Sequence, residues 1–375
     1  MKDRNKITRD IKETSRSKGT QGVMPRMLVV ATTPLCMDGL TAVLLRMAEI
    51  AKQYFQVDFA LGEGAEDSVS EKLKEIGIAY LLPNRSRKTL KYIRFLSRVV
   101  KSGSYTAVYI HGNSGTMAVD LIGAKLGGAT VRITHCHNWA KQPALKRLTL
   151  GTLMNHLATH PVSCGMKAGE ALYSGSFTLI PNGVDTKKFK FSQMTREEQR
   201  DNLNISDCFA VGHIGRFTKQ KNHERLLRIF REVRKIREDA VLMLCGTGEL
   251  LQEVKEQAKD LGEAVRFCGS VAKPQNYMMA MDVFVLPSFF EGFPLVGVEA
   301  QTCGLPCVFS DAITREVAVA PNVEYLSLEE DDRMWAKTIC NMKCKDRDSA
   351  AERIAAAGYD IETMRKRAEE FLSSL

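Results

Sequence analysis

The sequence predicts an α/β protein of two doubly wound domains, each a parallel sheet covered by helices on both faces, facing one another across a central cleft. Three observations predict it. The chain has 375 residues, 44% of them hydrophobic, which suits two packed domains at roughly 150 residues each. From Met27 onward short β-branched runs alternate with helix-length amphipathic stretches. That alternation fades over the polar stretch from Thr186 to Asp207 and then restarts, which marks a linker.

The first domain is expected over 26–190. Leu28-Val-Val-Ala-Thr32 reads as its opening strand, followed by a turn at Gly39 and a helix over 40–53. Strands then fall at 56–61, 78–82, 106–111 and 130–135, separated by helices at 68–76, 88–101 and 115–126; a helix at 143–157 follows, and short strands at 160–164 and near 177–180 close the half. The second domain is expected over 205–345. Its strands are 209–214, 240–245, 264–268, 283–286 and 306–309, with helices at 223–237, 249–261, 274–281 and 294–303 between them. Beyond Asp331 the pattern is helical only, including 347–357 and 361–373, and the 346–375 tail is expected to cross back to the first domain. In open α/β sheets ligands bind beyond the carboxyl ends of the strands, so two such domains place a site in the cleft.

Composition excludes several classes. The longest apolar runs, such as Ala240 to Cys245, are strand-sized and far short of the roughly 18 residues that span a bilayer. Residues 1–25 are a basic arm expected to be disordered, without the apolar centre of a secretory signal; a true start at Met24 or Met27 is the alternative. Ten scattered cysteines, several in apolar settings, point to a reducing cytoplasm. The formal charge of +9 favours anionic partners, yet no zinc finger, RNA-binding aromatic motif or concentrated basic helix supports nucleic acid. Basic strips at Arg85-Ser86-Arg87-Lys88 with Lys91 and Arg94, and at Lys141 to Arg147, would suit the inner face of a membrane, although for either strip alone a solvated helix face is the better explanation. His135-Cys136-His137 has no second ligand pair at a zinc-like spacing, so no metal is expected.

Two segments carry chemistry. In Gly212-His213-Ile214-Gly215-Arg216-Phe217 a strand ends in a glycine turn, where Gly215 allows a close approach and Arg216 and Lys221 suit a diphosphate. An ordinary strand-to-helix loop, with Asn222 as the helix cap, would look much the same. The second segment is Ser288 to Ala300. Glu291 and Gly292 read as a loop, Pro294 suits a helix start, and Glu299 lies on the helix. Carboxylates accept hydrogen bonds in pairs, so Glu291 suits hexose hydroxyls and Glu299 a ribose. The amides at Phe293 to Val296 lie at a helix start, where they would favour phosphate oxygens. A charge at Glu299, in an apolar helix, would be costly without a partner.

These segments together resemble the large retaining glycosyltransferase group with the Glu-x7-Glu motif, called family 4, and within it bacterial exopolysaccharide and capsule enzymes. The resemblance rests on Ile180 to Asp185, Gly212 to Phe217 with Gln220 to His223, Cys245-Gly-Thr-Gly-Glu249, Asp282 to Ser288, Glu291 to Glu299 and Gly304-Leu-Pro306. It implies a GT-B fold of two Rossmann-like domains, a nucleoside-diphosphate sugar held mainly by the second, an acceptor held by the first, retention of configuration and no metal. In that reading Arg216, Lys221 and Glu291 act on the reacting donor, and Gly215, Gly292, Phe293, Pro294, Leu295, Val296 and Glu299 hold it. The family's glycine-rich first loop matches Met37-Asp38-Gly39-Leu40, where Asp38 replaces a glycine and Gly39 remains a donor-side candidate. Its first-domain histidine matches His111 best, with His135, His137 and Asn138 as acceptor-side candidates.

The resemblance thus implies transfer of a hexose-type sugar to a lipid-linked or oligosaccharide acceptor, by a cytoplasmic enzyme that can sit peripherally at the inner membrane face. The alternatives are an epimerase or phosphorylase of the same fold, recognised by turnover without an acceptor, and a non-catalytic subunit. The last predicts loss of the motif charges, and Arg216, Lys221, Glu291 and Glu299 are all present.

Overall fold

The computed structural model describes residues 24–36, 39–137, 147–343 and 346–375. The basic arm up to residue 23, Met37, Asp38, Asn138 and most of the Lys141 to Arg147 strip lie outside them. The chain divides into two compact units, one ending at Ile180 and including Lys366–Leu375, the other running from Pro181 to Arg365.

The first unit contains β1 (Arg26–Ala31), α1 (Gly39–Ala51), β2 (Gln56–Leu61), α2 (Asp67–Ile76), β3 (Ala79–Leu81), α3 (Thr89–Ser102), β4 (Ala107–Gly112), α4 (Ala118–Gly127), β5 (Val131–Cys136), α5 (Thr152–Leu157), β6 (His160–Ser163), α6 (Met166–Leu172) and β7 (Thr178–Leu179). Its sheet has the order β3-β2-β1-β4-β5-β6-β7, and its pairings are parallel. Met27 to Val30 are fully buried, because helices cover both faces and the central strand needs no polar alternation. The helix expected from 143 is described only from a wide turn at Arg147–Gly151 into α5.

The second unit contains α7 (Gln193–Asn202), β8 (Phe209–Ile214), α8 (His223–Ile236), β9 (Ala240–Cys245), α9 (Leu251–Gln257), β10 (Val265–Gly269), α10 (Pro274–Ala280), β11 (Val283–Leu286), α11 (Leu295–Thr302), β12 (Cys307–Ser310), β13 (Val323–Leu326), α12 (Asp332–Asn341) and α13 (Ala350–Ala356). Its order is β10-β9-β8-β11-β12-β13, again parallel. A last helix, α14 (Ile361–Ser373), continues past Arg365 into the residues grouped with the first unit. There Gln53 donates to Glu369, and His160 meets the Phe371 ring edge-on.

Three places differ from the sequence reading. The polar stretch 186–207 lies within the second unit and holds α7, whose one buried residue is Arg200. Arg196 and Arg200 dock this helix through the carbonyls of Met279 to Met281 and through Asp282, so it lacks the apolar stripe that announces a packed helix. Strand β13 is an edge strand with half-exposed residues and too short for a visible alternation. Residues 346–365 group with the second unit, where Arg347 donates to the carbonyls of Cys303, Met278, Met279 and Met281.

Candidate functional site

The second unit gathers its charged motif residues where its sheet reverses direction. From β8 the chain winds outward to β10, then returns to lay β11 on the other side of β8. In open α/β sheets the loops leaving the carboxyl ends of two such neighbours are where ligands bind.

Four links tie the two loops. Lys221 Nζ donates to Glu291 Oε1 at 2.6 Å, Gln220 Nε2 to the Phe290 carbonyl at 3.0 Å, the Phe289 amide to the Gln220 carbonyl at 2.9 Å, and Asn222 Nδ2 to the Pro287 carbonyl at 3.0 Å. Asn222 adopts a left-handed φ of 57°, which asparagine tolerates well, and its side chain makes no hydrogen bond that caps α8. The side chain of this N-cap residue thus ties down the neighbouring loop.

The side chains of Lys221 and Glu291 are only 15% and 9% exposed, so each is the other's neutralising partner. The pair keeps hydrogen-bonding capacity: the ammonium retains further N–H donors and the carboxylate a second oxygen. Gly215 makes room for it. A Cβ there would stand 3.2 Å from Lys221 Cε and 3.0 Å from His213 Nε2. Behind it, Gly246 holds a φ of +138°, and a Cβ at that position would come within 2.1 Å of the Gly215 carbonyl oxygen. The Cys245-Gly-Thr-Gly-Glu249 loop thus braces the 215–217 turn, with the Gly215 amide on the Cys245 carbonyl and the Phe217 amide on the Thr247 carbonyl. Arg216 stands at the surface 3.9 Å from Glu249, a pairing worth only about 0–1 kcal/mol and cheaply exchanged for an anion.

Glu291 belongs to a loop and Glu299 is the fifth residue of α11, which confirms the loop-then-helix reading. Gly292, Phe293 and Pro294 are buried, while Leu295, Val296 and Glu299 are half-buried. Pro294 precedes α11 and offers no side-chain cap, so the helix start suits an anionic ligand. Phe293 stacks on Tyr359 at 5.5 Å between centroids, which fixes the loop from behind. Beneath the glycine turn His213 and His223 are buried, and burial lowers both histidine pKa values, that of His223 to about 4 with Lys221 contributing.

In the first unit the sheet reverses between β1 and β4, and His111 lies near the carboxyl end of β4 at that point. Thr32 Oγ1 donates to its carbonyl at 2.9 Å. Parallel register sets His111 beside His135, and His137 follows on the same face two residues later. The structure thus brings together three histidines that the sequence offered as competitors. His111 Nδ1 lies 2.9 Å from His137 Nε2, and His135 Nδ1 lies 2.9 Å from the Tyr109 hydroxyl. Burial keeps all three rings neutral, holding His137 down to about 3, and the neighbouring histidines lower His111 and His135 further. The His137 amide donates to Asn113 Oδ1 at 3.2 Å. Gly39, the remaining donor-side candidate, opens α1 at the surface.

The sequence reading did not single out Tyr109 or Tyr359. A period of two from His111 marks Tyr109 as its neighbour on one sheet face. Tyr359 sits 66 positions beyond Phe293, and no local signal joins them.

Residues 208–343 match the family described as glycosyl transferases, group 1. Over 344 residues the chain is 31% identical to EpsF of Bacillus subtilis (strain 168), named as a glycosyltransferase, covering 86% of this chain and 89% of that one. The UDP-Gal:alpha-D-GlcNAc-diphosphoundecaprenol alpha-1,3-galactosyltransferase of Escherichia coli is 27% identical over 257 residues, 62% of this chain and 66% of that enzyme. Among solved structures, Anabaena Alr3699/HepE in complex with UDP and glucose matches with a TM-score of 0.78 at 20% identity, over 94% of this chain and all of that one. At that identity the likeness speaks for the fold.

Proposed function

The chain belongs to the group 1 glycosyl transferases and is a glycosyltransferase of GT-B fold, and we propose that it moves a hexose-type sugar from a nucleoside diphosphate to a lipid-linked or oligosaccharide acceptor in surface polysaccharide synthesis. Configuration is retained, as in the Glu-x7-Glu enzymes of family 4. The observation that carries the reading is the sheltered Lys221–Glu291 pair at the reversal point of the second sheet, beside the capless start of α11.

In this reading Glu291 Oε2 accepts from hexose hydroxyls, Glu299 accepts from the ribose, and the α11 amides with Lys221 and Arg216 face the diphosphate. As the anomeric carbon–oxygen bond breaks, negative charge builds on the leaving diphosphate, and these fixed cations stabilise it without a metal. His111 and its neighbours hydrogen-bond the acceptor side, and Gly39 supplies a backbone approach. The relatives lend support through their names, one a glycosyltransferase and one an enzyme acting on a diphosphoundecaprenol-linked sugar.

The same reading holds the enzyme against the inner membrane face. Lys91, Arg94, Arg98 and Lys101 recur at three- and four-residue spacing on α3, all exposed, with Leu90 beside them. Such a face attracts anionic lipid headgroups at about 1 kcal/mol per cation near the surface. Arg85 drops out of the strip, since it donates to the buried Asp120 at 2.6 Å and to Thr116.

The test is transfer of labelled hexose from a panel of nucleotide sugars to a lipid extract, with the product's anomeric configuration read by NMR. Label in the lipid fraction with the donor's configuration is expected. Turnover of donor to an epimer or sugar phosphate without acceptor would overturn the reading in favour of an epimerase or phosphorylase.

A further inference from the structure

The second unit sets two cysteines against each other where β9 and β10 end. Parallel register pairs Phe267 with Leu244 and Gly269 with Cys245, so the alignment slips by one residue and Cys268 lies opposite Cys245 together with Gly269. Neighbouring strands run about 4.8 Å apart, inside the range of roughly 4.4–6.8 Å that disulfide-linked Cα atoms span. The Cys245 thiol donates a hydrogen bond to the Cys268 sulfur. Cys245 is fully buried and Cys268 half-buried, so Cys268 is the more accessible of the two.

We propose that Cys245 and Cys268 form a redox-modification site, at which hydrogen peroxide converts the thiol pair into a reversible disulfide that disturbs the glycine turn at the donor site. The hydrogen bond from Cys245 draws Cys268 below the ordinary thiol value, with Arg266 adding to the effect and burial opposing it. The same contact, together with burial, holds Cys245 up. Cys268 therefore reacts first, because the thiolate is the nucleophile. It attacks a peroxide oxygen and the O–O bond breaks; the departing hydroxide takes up the proton that Cys268 gave up, leaving a sulfenic acid and one water. The Cys245 sulfur then attacks that sulfenic sulfur. The S–S bond forms, the S–O bond breaks, and the hydroxyl leaves with the Cys245 proton as a second water. Two thiols are oxidised and one peroxide is reduced to two waters. A dithiol reverses the change by exchange, and in a reducing compartment such a bond is transient, as suits a sensor.

The path from this pair to the donor site is short. The Cys245 carbonyl accepts from the Gly215 amide at 3.0 Å, and the next residue, Gly246, donates from its amide to the Gly269 carbonyl at 2.7 Å. Lys221 packs over Gly215, its Cε 3.2 Å from where a Cβ would stand. Cross-linking the two side chains turns Cys245 toward β10 and shifts the carbonyl that holds Gly215. This effect rests on the donor reading given above, whereas the disulfide itself does not.

The experiment exposes reduced, desalted full-length protein to hydrogen peroxide. Peptide mapping by mass spectrometry reads the cross-link, and titration calorimetry reads the binding of uridine, guanosine, cytidine and thymidine diphosphates before oxidation, after it and after dithiothreitol. The expected result is a Cys245–Cys268 cross-link that dithiothreitol removes, with the affinity for the bound diphosphate falling about tenfold, the worth of one hydrogen bond, and returning on reduction. Peroxide should leave the affinity of Cys268→Ser unchanged. Absence of this cross-link in folded protein overturns the proposal, and so does a cross-link that leaves affinity unaltered or an equal loss in folded Cys268→Ser. Should that variant fail to fold, the wild-type map and its reversal decide. If the reduced protein binds no diphosphate at all, the donor reading falls, and the mapped cross-link alone upholds or overturns the modification site.

Discussion

Replacing Lys221 with methionine removes the charge that faces Glu291 and keeps most of the side-chain volume. Lys221 and Glu291 meet at 2.6 Å with side chains 15% and 9% exposed, so the variant leaves a nearly buried carboxylate without its cation. Breaking a buried pair from one side costs about 3–5 kcal/mol, and the slight exposure here argues for about 3. For a unit of this size that is a fall of roughly 6–12 °C in melting temperature. If Lys221 also stabilises the leaving diphosphate, turnover falls by on the order of 10²–10³, the effect of losing one group that meets charge developing in the transition state. The double variant Lys221→Met/Glu291→Gln separates the two roles. With neither charge present the buried penalty disappears, and we expect about 1.5–3 kcal/mol of stability to return through the coupling between the sites, while turnover stays low. Urea unfolding and donor turnover are measured on all four members of the cycle. Recovery of both stability and turnover in the double variant would refute the reasoning, because the pair would then be structural alone.

Arg216→Ala should lower turnover by about 10² yet barely change the melting temperature, since its pairing with Glu249 at 3.9 Å is exposed; a large loss of stability with normal turnover would count against the assignment. Gly246→Ala places a Cβ within 2.1 Å of the Gly215 carbonyl and a side chain at φ +138°, so we expect a loss of about 1–3 kcal/mol and a raised KM for donor in steady-state assays; wild-type KM would show that this loop does not brace the turn. The folded pKa of His223, about 4, lies below the ordinary value near 6.5, so the unfolded chain takes up a proton that the fold refuses. Its contribution is intact above about pH 6.5 and is lost as pH falls toward 4, by about 1.8 kcal/mol between pH 7 and 5. Unfolding free energies from urea titration at those two pH values should differ less in His223→Gln than in wild type by that amount, and an equal difference in both would refute the attribution.

Much of this architecture is legible because buried parallel strands leave a plain trace. Ala240–Cys245 and Val283–Leu286 are continuous apolar runs, and Phe209–Ile214 is broken only by His213, as expected of strands covered on both faces. Helix α7 left no such trace, because arginines reaching backbone carbonyls dock it in place of an apolar stripe. At the candidate site, the residue types and the loop-then-helix form of 291–299 could be read, because glycine and proline punctuate them. The Lys221–Glu291 contact could not, since it joins residues 70 apart through adjacent strand ends, and strand order is not a local property. The histidine cluster has the same character. His135 and His137 were visible as neighbours, but the placing of His111 beside them depends on the register of β4 with β5.

The central claim is that the second unit binds a nucleoside-diphosphate sugar through Lys221, Glu291 and Glu299. Isothermal titration of the full-length protein with uridine, guanosine, cytidine and thymidine diphosphates and their hexose conjugates tests it most directly. The account predicts that one base series binds at one site per chain, and that Glu299→Ala weakens the nucleotide itself at least tenfold, about 1.4 kcal/mol. Glu291→Gln should weaken only the hexose conjugate. Failure of every diphosphate to bind, or binding that is indifferent to both substitutions in folded protein, would contradict it.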